Sequence, residues 1–325
     1  MYKKKLIVLS TVAGILALIC ILGFIFTPER RVSRRSIFNW LDSKLVSKVD
    51  KISIVKPGED LDTVDIVRRN NTWFVNYNGV DYPTKQLRVR EFINLFTKRA
   101  LYPMRSNTVA SHERLGLTEE SAYRVIFSTG QETDLLDLMM GYGGFYEKDI
   151  FLRKYKENKV YSGQDVFSPY IYSGRPSWYN LRLIPESENG KISLVNVQRL
   201  SVYNILEDGS EAPWVFTRKG KEWEISGLDL VNPNMEMIDY VVNELVNAEG
   251  DDFVYDVGID DPSVNVIRFV IELGNGDIKT ISLSKVVDDD YRRYAKISGS
   301  NFVYSLPGWV AGRFVRNESF FERQE

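Results

Sequence analysis

The chain has 325 residues, 44% of them hydrophobic and 26% charged, with a formal net charge of −2. That length predicts two domains with sizeable cores, and the composition excludes a disordered chain. The charge is uneven. The first 35 residues carry a net +6 and the other 290 a net −8, and a mildly acidic body argues against bulk nucleic-acid binding, which leans on basic surface. The only cysteine is Cys20, which excludes a disulfide within the chain.

The first element is "LIVLSTVAGILALICILGFIF", Leu6 to Phe26, uncharged and with only Ser10 and Thr11 polar. As a helix it would span about 31 Å, close to the hydrocarbon thickness of a bilayer. A cleaved signal peptide has an apolar core of about 7–15 residues and a small-residue cleavage site. The stretch here is longer and runs into "GFIFTPERR", so an uncleaved anchor is the expectation. A lipidated Cys20 is disfavoured by Ile19 before it. Lys3, Lys4 and Lys5 on one side and four arginines on the other leave the charge bias nearly balanced, so it does not choose an orientation. Gly14 with Ala13 and Ala17 forms a small-residue patch, where another helix could approach or which is routine in a lipid-facing helix.

Next, "KISIVKP" alternates as a strand does, and Pro57 and Gly58 end it. "VDIVRRNNTWFVNYNG" predicts a hairpin turning at Asn70-Asn71, with Asn78-Gly79 closing its second strand. In "TKQLRVREFINLFTKR", Val89, Phe92, Ile93 and Phe96 are spaced 0, 3, 4, 7, the apolar face of a helix. "RLGLTEESAYRVIFS" supplies a glycine step at Gly116 and then a strand. "LLDLMMG", "DIFLRK" and "NKVYSG" are further short strands.

The order then recurs. "KISLVNV", from Lys191, reads as a strand. "PWVFTRKGKEWEISG" is a hairpin with Lys219-Gly220 at its turn. "NMEMIDYVVNELVNA" is a helix with Ile238, Val241, Val242 and Leu245 again at 0, 3, 4, 7. "VNVIRFVIEL", "KTISLSKV" and "YRRYAKISGSNFVYSL" give the closing strands. Trp73 and Trp223 lie 150 residues apart, Val89 and Ile238 149, Gly116 and Gly258 142, and Tyr161 and Tyr304 143. Near-constant offsets predict a duplicated module, with the joint in the polar stretch Leu183 to Lys191. The expected fold is α+β: an N-terminal transmembrane helix, then two tandem, mostly antiparallel sheet-plus-helix modules. The expected divisions are 1–35 for a short cytoplasmic tail and anchor, 36–186 for the first module and 187–325 for the second. Trp73 and Trp223 are expected to anchor each sheet to its helix.

The search for chemistry yields little. His112 is the only histidine, so no two-histidine zinc motif exists, and with Cys20 placed in the membrane Cys–His catalysis and Cys/His zinc sites are excluded. A surface or capping role is expected for His112. "MMGYGGFYEK" has Gly141, Gly143 and Gly144, but Tyr146 stands where a dinucleotide fingerprint needs its third glycine, so a turn between strands is expected. There is no phosphate-binding G-x-x-x-x-G-K-[ST] loop and no G-x-S-x-G elbow. Asp288, Asp289 and Asp290 are adjacent rather than alternating, which suits a solvated loop better than a divalent-cation site. "SGRPSWYNLRLI", Ser173 to Ile184, sets Arg175, Trp178, Tyr179 and Arg182 near the joint, either as packing there or as an interface. No catalytic, cofactor-binding or metal-ligating residue is assigned.

Taken together, "WLDSKLVSKVDKISIV", "TWFVNYNGVDYP", "SHERLGLTEESAYRVIF" and "PSWYNLRLIPE" resemble the DUF4340 family, a set of bacterial domains of unknown function. The resemblance spans most of the chain after the anchor and lies in the combined order of these segments. In the second copy "DVGIDDPS" is a looser version of the "RLGLTEES" step, which puts a shared ligand for the two copies in doubt. The resemblance implies a companion of ABC-type export systems, including those related to gliding-motility transporters, and it carries no catalytic residues. It also implies a body on the outer, periplasmic side of the cytoplasmic membrane. The expected function is therefore a non-enzymatic, membrane-anchored accessory protein. Its expected partners are the bilayer and a separate permease whose ATPase is cytoplasmic, with no nucleic acid and no cofactor. The alternatives are a stand-alone envelope sensor or ligand-binding protein with an apolar pocket, and a carboxylate-based envelope hydrolase.

Overall fold

The computed structural model describes residues 11–20, 22, 36–58, 63–141, 148–185, 192–205, 211–255 and 266–323. Residues 11–20 are helical and exposed. Among the described residues no helix is long and apolar enough to cross a membrane. Most of the rest of the expected anchor, and Gly143, Gly144 and Gly258, lie outside them.

The chain is α+β, and every strand pairing among the described residues is antiparallel. It divides into two compact units, one ending at Trp178 and one starting at Tyr179.

In the first unit, β1 (Ile37–Phe38) pairs with β6 (Ala100–Leu101). The main sheet is built from β2 (Lys51–Val55), β3 (Thr63–Arg69), β4 (Thr72–Tyr77), β5 (Val80–Pro83), β7 (Met104–Ser106), β8 (Tyr123–Ser128), β9 (Asp134–Gly141), β10 (Asp149–Lys154) and β11 (Val160–Gln164). Its order is β5-β4-β3-β2-β8-β9-β10-β11-β7. Asn70 and Asn71 hold φ of 48° and 65°, and Asn78 and Gly79 hold 51° and 78°. Two positive φ values in succession give turns whose twist matches the flanking strands, so both pairs make tight hairpins. The second of these launches β5, a strand that the sequence pattern hid behind Pro83. Helix α1 (Gln86–Thr97) buries Val89, Phe92, Ile93 and Phe96, the predicted face. Phe96 and Phe127 meet edge to face at 4.7 Å, and Phe92 meets Trp178 at 5.3 Å. Short helices α2 (Ala110–Arg114) and α3 (Ser168–Ile171) complete the unit.

The second unit contains β12 (Val197–Ile205), β13 (Glu211–Lys219), β14 (Glu222–Ser226), β15 (Asp252–Val254), β16 (Ile267–Leu273), β17 (Ile278–Leu283), β18 (Arg293–Ile297) and β19 (Val303–Leu306). Its order is β14-β13-β12-β16-β17-β18-β19-β15. Helix α4 (Met235–Val246) buries Ile238, Val241, Val242 and Leu245, again as predicted, and α5 (Gly308–Phe314) follows the last strand.

Taken separately, the two sheets share one strand order from β4/β14 through β7/β15. Ile52 sits between Ile66 and Phe127, and Leu200 sits between Phe216 and Ile271. Leu152 sits between Met140 and Tyr161, as Ala295 does between Leu283 and Tyr304. Tyr161 in turn faces Met104, and Tyr304 faces Phe253. Trp73 and Trp223 are both buried, opposite Arg68 and Arg218.

Three local expectations need correction. "KISLVNV" is not a strand. Ser193 and Asn196 form a reciprocal capping box that winds Leu194–Asn196 into a 3-10 turn, and β12 begins only at Val197. The second hairpin turns at Gly220, φ 65°, with Lys221, one residue later than expected. The division falls at Trp178/Tyr179 rather than after residue 186. Residues 181–183 already belong to the second unit, because Gly250 N–H donates to the Leu181 carbonyl at 2.9 Å and Leu183 N–H to that of Ala248 at 3.0 Å. They lead the second unit as β1 leads the first, where Tyr102 N–H donates to the Ser36 carbonyl at 2.7 Å.

Candidate functional site

The first unit contains a cavity of about 460 Å³ beside its β11–β7 edge. This lies within the roughly 300–1,000 Å³ that small-molecule sites occupy. Its walls come from four places in the sequence. Leu95 and Lys98 stand at the end of α1, Ala100 and Leu101 on β6, Tyr102, Pro103 and Arg105 on the way into and on β7, and Asp149 with Ser162, Gly163, Gln164 and Val166 on and after the β10–β11 hairpin.

Each wall has a local cause. The α1 face that buries Phe92 and Phe96 leaves Leu95 half-buried and Lys98 exposed at the cap. Tyr102, 3% exposed, packs on Phe38 and Trp40 at centroid distances of 5.2 and 5.3 Å. That burial pushes its phenol above the ordinary tyrosine range. Gly163 permits the ring's close approach, since a Cβ there would lie 2.7 Å from two of its atoms. Leu101 is 53% exposed, so the apolar wall is open to solvent.

The polar groups are few. Arg105 Nε donates to Ser162 Oγ at 2.7 Å, and Ser162 is buried. Arg105 Nη2 lies 3.7 Å from Asp149 Oδ2, with both side chains about half exposed. So open a pair contributes at most about 1 kcal/mol, which leaves the guanidinium free to exchange partners. Lys98 makes no ion pair among the described residues. In the second unit, a hollow lined by Val202, Phe269 and Phe314 measures only about 20 Å³, room for a single water.

The residues singled out by sequence lie elsewhere. His112 is buried at 8% exposure on α2, not on the surface; its ring Nε2 lies 3.2 Å from the Asn158 carbonyl oxygen. The Asp288 carboxylate accepts from the backbone N–H groups of Asp290 and Arg292 and from Arg292 Nε, so it closes a loop. Among the described residues no cluster of His, Cys, Asp and Glu has the arrangement to hold a metal. Arg175 stacks on Tyr77 at 3.7 Å, and Trp178 is fully buried under Arg88 at 4.9 Å, all within the first unit. Tyr179, fully buried, packs on Phe253 at 4.9 Å, and Arg182 pairs with Glu249 through its backbone in an antiparallel β-bridge, both within the second. These four residues therefore contribute packing to their own units. Gly141 closes a strand, where a Cβ would come 2.4 Å from the Leu115 carbonyl oxygen. Cys20 is exposed.

The cavity residues carry no sequence signal because Arg105, Asp149 and Ser162 share no motif and meet only through the register of β11 with β7 and β10, while Lys98 comes from the end of α1. No family model matches the chain, and neither a curated protein nor a solved structure matches it.

Proposed function

We propose that the chain is a single-pass protein of the bacterial cytoplasmic membrane, anchored by residues 6–26 with its bulk on the outer side. In this reading it serves an ABC-type transport assembly as a non-enzymatic accessory component. The observation that carries the reading is the doubling. Two units share one strand order, matched residue for residue across β2/β12 and β10/β18, as copies of one ancestral module would. Unrelated domains converge on layers more readily than on register. A doubled sheet-and-helix module behind an uncharged 21-residue run suits docking work near a bilayer. Tethering raises its effective concentration at a membrane partner, so modest contacts suffice. The resemblance noted above supplies the kind of partner: a separate permease with its own cytoplasmic ATPase.

The test is capture of the full-length chain in mild detergent. Recovery of a polytopic permease together with an ATPase supports the transport role. Recovery of the chain alone under several gentle conditions ends it. The cavity favours a second reading, a stand-alone envelope sensor or ligand-binding protein, since about 460 Å³ with an apolar wall and a few polar groups is the form of a small-molecule site.

A further inference from the structure

The geometry points to the first-unit cavity as a binding site for a small amphipathic carboxylate, an apolar body carrying one anionic head. This assignment rests on the ligand-binding reading and is independent of any transport partner.

Size and walls select the body. Leu95, Leu101 and Val166 present aliphatic surface to a hollow of about 460 Å³. Leu101, at 53% exposure, and Val166, at 37%, lose water when it fills. Charge selects the head. Two cations, Lys98 and Arg105, and one carboxylate, Asp149, line the cavity, a local excess of one positive charge on an acidic body. Lys98 has no ion-pair partner among the described residues, and the Arg105–Asp149 separation of 3.7 Å is long for a charge-assisted bond. A carboxylate can therefore take the guanidinium without breaking a strong pair. Ser162 Oγ, buried and 2.7 Å from Arg105 Nε, holds the guanidinium in place, so little ordering is lost on binding. A cationic head would face two like charges, and a neutral one would bury these cations without compensation.

The experiment is calorimetric titration of the full chain in lipid nanodiscs, with empty nanodiscs subtracted. The probes are three ligands with one apolar body and different heads: 4-phenylbutyrate, 4-phenylbutanol and 4-phenylbutylamine. The carboxylate is expected to bind roughly tenfold more tightly than the alcohol, the ratio a single hydrogen bond to a charged group supplies, and the amine more weakly still. Arg105→Gln together with Lys98→Gln should level the three affinities while thermal unfolding stays cooperative, the sign that the unit remains folded. Leu101→Ser, at a position 53% exposed, removes apolar wall without adding charge and should weaken all three. Equal binding of the three ligands to the unaltered chain overturns the carboxylate assignment but leaves a ligand site. Absence of binding by any of them overturns the ligand-binding reading itself. A preference for the carboxylate that survives the double variant places the anion elsewhere and overturns the residue assignment.

Discussion

Replacing Trp223 by Phe should cost more stability than the same change at Trp73, although the two occupy matched positions. Both are buried, at 4% and 7% exposure, and each lies near an arginine, Arg218 at 4.4 Å and Arg68 at 5.6 Å from the ring centroid. The loss of ring volume is therefore shared, and a partly relaxing cavity of that size costs about 1 kcal/mol. The difference lies in the indole N–H. Trp223 Nε1 donates to Asp239 Oδ1 on α4 at 2.8 Å. Trp73 is tied to α1 through its backbone instead, with its N–H donating to Gln86 Oε1 at 3.0 Å and its carbonyl accepting from Gln86 Nε2 at 2.8 Å. A hydrogen bond to a charged acceptor contributes roughly 1.5–3 kcal/mol, and since the Asp239 side chain is 41% exposed it regains water, which brings the loss to about 1–1.5 kcal/mol. The expectation is about 1 kcal/mol for Trp73→Phe and about 2–2.5 kcal/mol for Trp223→Phe, against roughly 3–5 kcal/mol for either alanine variant. Urea denaturation followed by circular dichroism gives the magnitudes. Amide exchange read by mass spectrometry assigns each loss to residues 51–97 or 197–246. Equal phenylalanine costs, or a Trp223 variant that loosens the first unit, would refute the reasoning.

Gly141→Ala should destabilise by about 1–3 kcal/mol, read as a fall in melting temperature, because its new Cβ would meet backbone oxygens of Leu115 and Gly116 rather than a side chain able to move. The hydrogen bond from Arg68, with that from the Gly130 N–H, holds the Asp50 carboxyl below its usual range. A depressed folded-state value stabilises above the unfolded pKa of about 3.9 and loses that contribution as pH falls through the folded value. Melting curves between about pH 5 and 2 should thus fall less steeply for Asp50→Asn than for the unaltered chain. Protease added to intact spheroplasts should remove the body from residue 36 onward; a body protected until the membrane is broken reverses the proposed orientation.

The helices and hairpins were legible because their signals are local. Val89, Phe92 and Phe96 alone specify the buried face of α1, and Asn70-Asn71 specifies its turn without reference to anything distant. The strand at Val197 was misplaced because alternation in "KISLVNV" competes with a capping box, and the box won by satisfying the Ser193 backbone N–H at 2.9 Å. The unit boundary was misread for a related reason. Polar composition marks the stretch that begins near residue 185, whereas the division is set by where Leu181 and Leu183 find backbone partners. The cavity was illegible throughout. Its charged residues lie on α1, β7 and β10, and no spacing rule relates them before the register of the sheet is known.

On the proposed duplication, the second unit shows what became of the same place. Ser305 stands where Ser162 does, and Arg292 stands at the position of Asp149, each 143 residues on. Asp251 takes the position of Tyr102, 149 residues on. The result is an exchange of charge. In the first unit an arginine on the edge strand has one distant, half-exposed carboxylate. In the second, Arg292 Nη1 lies 2.6 and 2.8 Å from the two oxygens of Asp251 and donates to Ser305 Oγ at 2.5 Å, while its Nε bonds Asp288 at 3.2 Å. The hydrogen bond from Arg292 to Asp251 holds that guanidinium above its usual range. A Cβ on Gly250 would come 2.5 Å from the Ser305 carbonyl oxygen, so the backbone packs closely against β19 there. An anion that reached Arg292 would have to displace two aspartates, a repulsive contest that Arg105 does not impose. A module copied once can keep its fold in both places while the charge pattern at one edge is exchanged. The looser glycine step of the second copy agrees with such a divergence.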